Sequence, residues 1–189
     1  MNSTVAPSAA PVLASTRMLV ARRAIAIALG AAAVALAAQL AIPIGPVPVS
    51  LQGGTVLLVG GLLGWRYGAA ALLAYLAAGA AGLPVFANGG FSLAHLFGPT
   101  GGYLLAFPAA AALMGVLARP GNVVRSIGAA LAAMIVIHLG GWAWLSIVLQ
   151  SGSRAFALGT QPFLISDLLQ VVLAGGVVAL AAAQVRRRI

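Results

Sequence analysis

The chain of 189 residues has no cysteine, no lysine and one acidic side chain, Asp167. Each absence removes a class of chemistry. Without cysteine there are no disulfides, thiolate metal ligands or thiol nucleophiles, and the redox compartment is left open. Without lysine no Walker A loop can place its ammonium on nucleotide phosphates, and no Schiff base can form. One acid and two histidines distant from each other, His95 and His138, give neither a pair of carboxylates for acid–base work nor metal-ligand spacing. The chain is therefore expected not to be an enzyme and to need no metal or cofactor, and the histidines are expected to be hydrogen-bonded packing residues.

What the sequence has in quantity is apolar. Hydrophobic residues make up 62% and charged residues 6%, where soluble domains carry about 25% charged; the mean hydropathy is +1.11. This is the composition of an integral membrane protein partnered by the lipid bilayer, with room for several spans of about 20 residues and none for a further soluble domain. The net charge of +9 comes from arginines that are widely spaced and not interleaved with aromatics. No nucleic-acid surface is expected from that pattern.

Residues 1–16, "MNSTVAPSAAPVLAST", are small, polar or proline-containing and are expected to form a disordered cytoplasmic tail. Residues 17–189 are expected to form one membrane domain. Its apolar segments fall at 24–42, 51–63, 68–82, 101–117, 127–149 and 162–183. The first exceeds the ~7–15 residues of a signal-peptide core and lacks a small-residue cleavage site. The fold class expected is all-α: a bundle of six transmembrane helices with both termini cytoplasmic. The second and third segments are short for a crossing of ~30 Å and call for tilting, breaking or extension into the loops.

Orientation follows from arginine placement. Six spans put Arg17, Arg22, Arg23, Arg66, Arg119, Arg125, Arg186, Arg187 and Arg188 on one side and Arg154 alone on the other. The arginine-rich side is the cytoplasmic one. Three segments then lie outside: "PIGPVPVSLQGG", "LPVFANGGFSLAHLFGPT" and "QSGSRAFALGTQPF". Irregular backbone at membrane depth persists where protein covers it or a cavity runs beside it, so a ligand pocket is expected at the outer face.

Asp167 lies in "PFLISDLLQ", near the start of the sixth segment. There it can serve the helix dipole as an N-terminal acid, or mark a site, as rare intramembrane acids do. Asn88, in "FANGG", is either a turn residue or a ligand group offering both donor and acceptor. Together an aspartate and an asparagine can read a planar group bearing N–H donors beside a carbonyl, the pattern of a cyclic urea. Trp142 and Trp144 read as an interfacial aromatic belt. Ala24, Ala28 and Ala32 form a small-residue face on a helix that is almost all alanine.

In order and spacing, "PVPVSLQGG", "AYLAAGAAGLPVFANGG", "GPTGGYLLAF" and "PFLISDLLQ" resemble the BioY family, the biotin-binding S components of energy-coupling-factor transporters. The resemblance covers about residue 20 onward, and its most specific part is "GLPVFANGG…GPTGGY". It implies capture of biotin from outside, with uptake powered by a separate transmembrane coupling protein and ATPase subunits. Carried over by motif, Asn88 and Asp167 are the expected partners of the ureido ring, with Gln52 and Tyr103 lining the pocket. The family pattern usually has a lysine three residues after the aspartate. Here that position is Gln170, on the same helix face and counted among the expected substrate-binding residues, so Asp167 is expected to lack a counter-charge. For the valerate carboxylate, the helix start at "GPTGGY" offers backbone N–H groups, with Thr100 as cap, while Arg154 is expected to be a solvated loop residue. An S component for another vitamin, and a small proton-coupled carrier using Asp167, stay open as alternatives.

Overall fold

The computed structural model describes residues 10–43 and 45–189. Helix α1 (Ala10–Gln39) is followed by a two-stranded antiparallel hairpin, β1 (Ala41–Ile42) and β2 (Val49–Ser50), in which Ala41 pairs with Ser50 and Ile42 with Val49. Next come α2 (Gln52–Ala80), α3 (Leu93–Leu96), α4 (Gly101–Leu117), α5 (Val123–Leu149), α6 (Gly152–Gly159) and α7 (Leu164–Arg186). Single 3-10 turns at Ala87–Gly89 and Gln161–Phe163 sit between them. Residues 1–9 of the expected tail lie outside the described residues, and the tail's last seven, from Ala10, belong to α1.

The two short apolar segments are the two arms of α2. Gly64 has φ +80° and ψ 171°, non-helical values that only glycine adopts without strain. A Cβ on Gly68 would lie 2.7 Å from the Cα of Gly60, residues that a straight helix would separate by roughly 12 Å. Further from the break, the amide of Gln52 donates to the Tyr75 hydroxyl at 2.8 Å. Position 52 thus faces 75 and position 60 faces 68, so the chain reverses at Gly64 into antiparallel arms 52–63 and 65–80. At 1.5 Å per residue they reach roughly 18 and 24 Å, which explains why neither run is a full-length span. With α1, α4, α5 and α7 they make the expected bundle of six membrane helices.

The arms pack on α4 and α7 around Val56, Leu57, Leu72, Tyr75, Met114 and Val178, all fully buried. Helix α1 packs along α2, burying Gly30, Val34, Ala37 and Ala38 with Ile27, Ala31 and Ala35 partly covered beside them, one stripe at helical spacing. Leu29, Leu36 and the alanines 24, 28 and 32 are exposed. Apolar surface of that kind is stable when lipid tails cover it.

One end of the bundle gathers arginines. Arg186 Nη2 donates to the carbonyls of Gly61 at 2.7 Å and Gly115 at 3.3 Å, and Arg125 Nε to that of Leu117 at 3.1 Å. Arg23 Nε donates to the Ile189 carbonyl at 3.0 Å, and its guanidinium lies 5.5 Å from the Tyr67 ring centre. Helix-terminal carbonyls lack intrahelical partners, and these cations satisfy several. The opposite end holds the β-hairpin, α3 and α6. There Trp142 and Trp144 tie the outer segments to α5 through their Nε1–H groups, bonded to the Gly152 carbonyl at 3.0 Å and the Gly98 carbonyl at 2.9 Å. Most of the third outer segment is helix α6 rather than loop, capped by the Ser151 hydroxyl, which accepts from the Arg154 amide at 3.3 Å. Arg154 is exposed, as expected.

Candidate functional site

Asp167 sits in the first turn of α7, with its side chain only 12% exposed. It makes no helix-capping bond. Instead its two oxygens face different neighbours: Oδ2 lies 2.6 Å from His138 Nε2 on α5, and Oδ1 accepts from Gln170 Nε2 at 3.1 Å. This refines two expectations. His138 is hydrogen-bonded, as expected, but to the one acid, and Asp167, although no lysine follows it, has an imidazole neighbour from α5, the span before its own. Spacing along the chain carries no signal of such a pair; the only hint was a histidine inside an otherwise apolar helix.

Gln170 lies behind the aspartate rather than in the cavity wall. Its Oε1 accepts from the Gly54 amide at 2.7 Å, and its Nε2 reaches the Ser50 carbonyl at 3.4 Å besides Asp167. One neutral side chain thus joins the start of α2, the end of β2 and the carboxylate. Gln52 is also buried and held: Nε2 donates to Tyr75, and Oε1 accepts from the Ser50 hydroxyl at 3.1 Å.

Asp167 and His138 form part of the wall of a cavity at the outer end of the bundle. Val47, Pro48 and Ser50 of the hairpin, Gln52, Tyr103, Phe107 and Phe163 contribute further surface. About 590 Å³ of non-atom space lies between the lining atoms, open solvent at the mouth included. Tyr103 is buried, with its hydroxyl donating to the Gly159 carbonyl at 2.6 Å, so one edge of its ring is anchored while the body faces the cavity.

Asn88 is not in that wall. It borders an adjoining outer cavity with Pro43, Gly45, Pro46 and Gly98, and the two cavities share Pro48, Ala87, His95 and Thr100. Asn88 has φ +56°, a left-handed conformation asparagine tolerates. Gln39 at the end of α1 holds the turn there: its amide donates to the Phe86 carbonyl at 3.1 Å and accepts from the Gly89 amide at 3.2 Å. Its conformation is that of the turn reading; as a candidate ligand group it stands beside the adjoining cavity and not in the wall that holds Asp167. Gln39 carries no motif and was not singled out by sequence.

The helix start at Thr100 differs from the expected anion cradle. Thr100 occupies the N-cap position of α4 without a side-chain capping bond, and its Oγ1 lies 3.5 Å from His95 Nε2. The amides of Gly101, Tyr103 and Leu104 already donate to the carbonyls of Gly98, Thr100 and Thr100. Few donors there remain for an anion. Burial holds the His95 imidazole below its ordinary titration range.

A half-open cavity at the outer end of a membrane bundle, apolar but for a few fixed polar groups, defines a membrane protein that binds a small molecule. The chain belongs to the BioY family, which residues 7–187 match. It is 40% identical over 148 residues to the probable biotin transporter BioY of Pyrococcus horikoshii, covering 78% of this chain and 88% of that protein. It is 41% identical over 159 residues to biotin transporter BioY2 of Lactococcus lactis subsp. cremoris, covering 78% and 82%. Its fold matches the crystal structure of the S-component for biotin from an ECF-type ABC transporter, with a TM-score of 0.77 and 28% identity over 84% of this chain and 89% of that one.

Proposed function

We propose that this protein captures biotin at the outer face and serves as the S component of an ECF-type uptake system. The observation that carries the reading is the position of Asp167: the one acid of an apolar chain lies in the wall of the outer cavity, in a family whose named members transport biotin. Its carboxylate accepts an N–H of the ureido ring, a charge-assisted bond about twice as strong as a neutral one. Asn88, from the adjoining cavity, reads the other side of the ring. Tyr103 and Gln52 line the space around the ligand, and Gln170 keeps the carboxylate oriented from behind. The apolar walls formed by Phe107, Phe163 and Val47 suit the thioether ring and alkyl chain.

Without a lysine the chain has no phosphate-binding loop of the Walker type. Energy then comes from a separate transmembrane coupling protein and ATPase subunits. Titrating purified protein with biotin, thiamine and riboflavin tests the ligand assignment. Saturable biotin binding that neither other vitamin displaces is expected. Binding of thiamine or riboflavin in preference to biotin would assign the pocket to another vitamin.

A further inference from the structure

We infer that His138 is the counter-charge of the ligand-bound site, and that biotin binding draws one proton onto the His138–Asp167 pair. This rests on the reading of the cavity as the biotin site. Among the described residues Asp167 has two side-chain hydrogen-bond partners, His138 at 2.6 Å and the neutral Gln170 at 3.1 Å. In the open cavity water solvates the carboxylate. A ligand that fills the cavity removes that water, and a buried carboxylate without a cation is then strongly disfavoured. The imidazole in contact with Oδ2 restores neutrality by taking up a proton. Nε2 is already engaged with Oδ2, so the proton goes to Nδ1, which is buried and has no hydrogen-bond partner.

The other groups around the ring do not supply this charge. From α4, the Tyr103 ring stands edge-on to His138 with centres 6.2 Å apart; from the turn before α7, Phe163 lies at 6.1 Å. The start of α2 presents Gln52, whose amide is bonded to the Tyr75 hydroxyl. Helix α6 carries Arg154, which is exposed and makes no ion pair with Asp167. His95 shares the cavity wall but is held below the ordinary range by burial. The biotin carboxylate titrates around pH 4 to 5, as alkyl carboxylic acids do, well below the window concerned.

A ligand whose binding draws a proton onto the pair binds most tightly where protons are plentiful, so its affinity falls as pH rises. For one linked proton the loss reaches at most about tenfold per pH unit. Calorimetric titration of the full chain with biotin, at pH 6.0 to 8.5 and in buffers of differing ionisation enthalpy, reads both the affinity and the protons taken up. The parent is expected to absorb a substantial fraction of one proton per biotin near pH 7.5 and to weaken toward pH 8.5. In His138→Gln, which keeps an N–H for Asp167 but cannot titrate, both effects are expected to vanish and the affinity to be low at every pH. A parent that binds biotin with no proton uptake overturns the inference and leaves the biotin reading intact. So does a His138→Gln variant with the parent's uptake. A parent that does not bind biotin overturns both.

Discussion

Gln170, bonded to Asp167, and Asn88, beside the adjoining cavity, act differently. The Gln170 amide has partners on α2, β2 and α7. Gln170→Ala leaves the Gly54 amide and one aspartate oxygen without that partner, which costs about 1–3 kcal/mol for a buried group left unpaired. A lower unfolding temperature in detergent is expected together with weaker biotin binding. Asn88 borders the adjoining cavity on a turn held by Gln39. Asn88→Ala removes neutral bonds worth about 0.5–1.5 kcal/mol, so binding is expected to weaken by roughly 2- to 13-fold, and alanine in the left-handed conformation lowers stability by about 1–2 kcal/mol. Unchanged affinity in Asn88→Ala would reduce the residue to a turn former. Asp167 was legible in the sequence because a lone acid in an apolar chain is costly and needs a reason. His138 was not, because pairing between α5 and α7 depends on how the helices face each other, which hydrophobicity along either one does not specify.

Helix α2 shows how a local conformation sets a crossing. Average hydropathy over 51–82 cannot distinguish one long helix from two short ones. Arg66 in the middle of the stretch and the run of glycines around it pointed to two, and the reversal at Gly64, φ +80°, bears that out. Gly64→Ala forces a Cβ into a conformation that costs about 1–3 kcal/mol in non-glycine residues. Thermal unfolding of the purified variant should fall accordingly; an unchanged midpoint would mean that the turn relaxes to another geometry. The third outer segment was harder to read. Its glycines and serines suggested loop, yet Ser151 caps α6, and Ala155 and Gly159 are buried against the bundle while Phe156 and Leu158 stay exposed. Local composition missed an element that tertiary packing stabilises.

At the scale of the molecule, charge sets direction. Arg23, Arg125 and Arg186 meet helix-terminal or chain-terminal carbonyls at one end, while the cavity opens at the other. A reporter fused after Ile189 should therefore report cytoplasm and one inserted near Ser153 the outside; a reporter at Ile189 found outside would invert the account. The six-span bundle was legible from hydropathy and arginines. The cavity's contents were legible only through the motifs shared with BioY, because no pattern in one chain says which loops meet. The central claim is that Asp167 in this outer cavity holds biotin. Calorimetric titration of biotin into the parent and into folded, monodisperse Asp167→Ala tests it most directly. Loss of a bond to a charged group, about 1.5–3 kcal/mol, predicts roughly 10- to 150-fold weaker binding. An Asp167→Ala protein that binds biotin as the parent does would contradict the account.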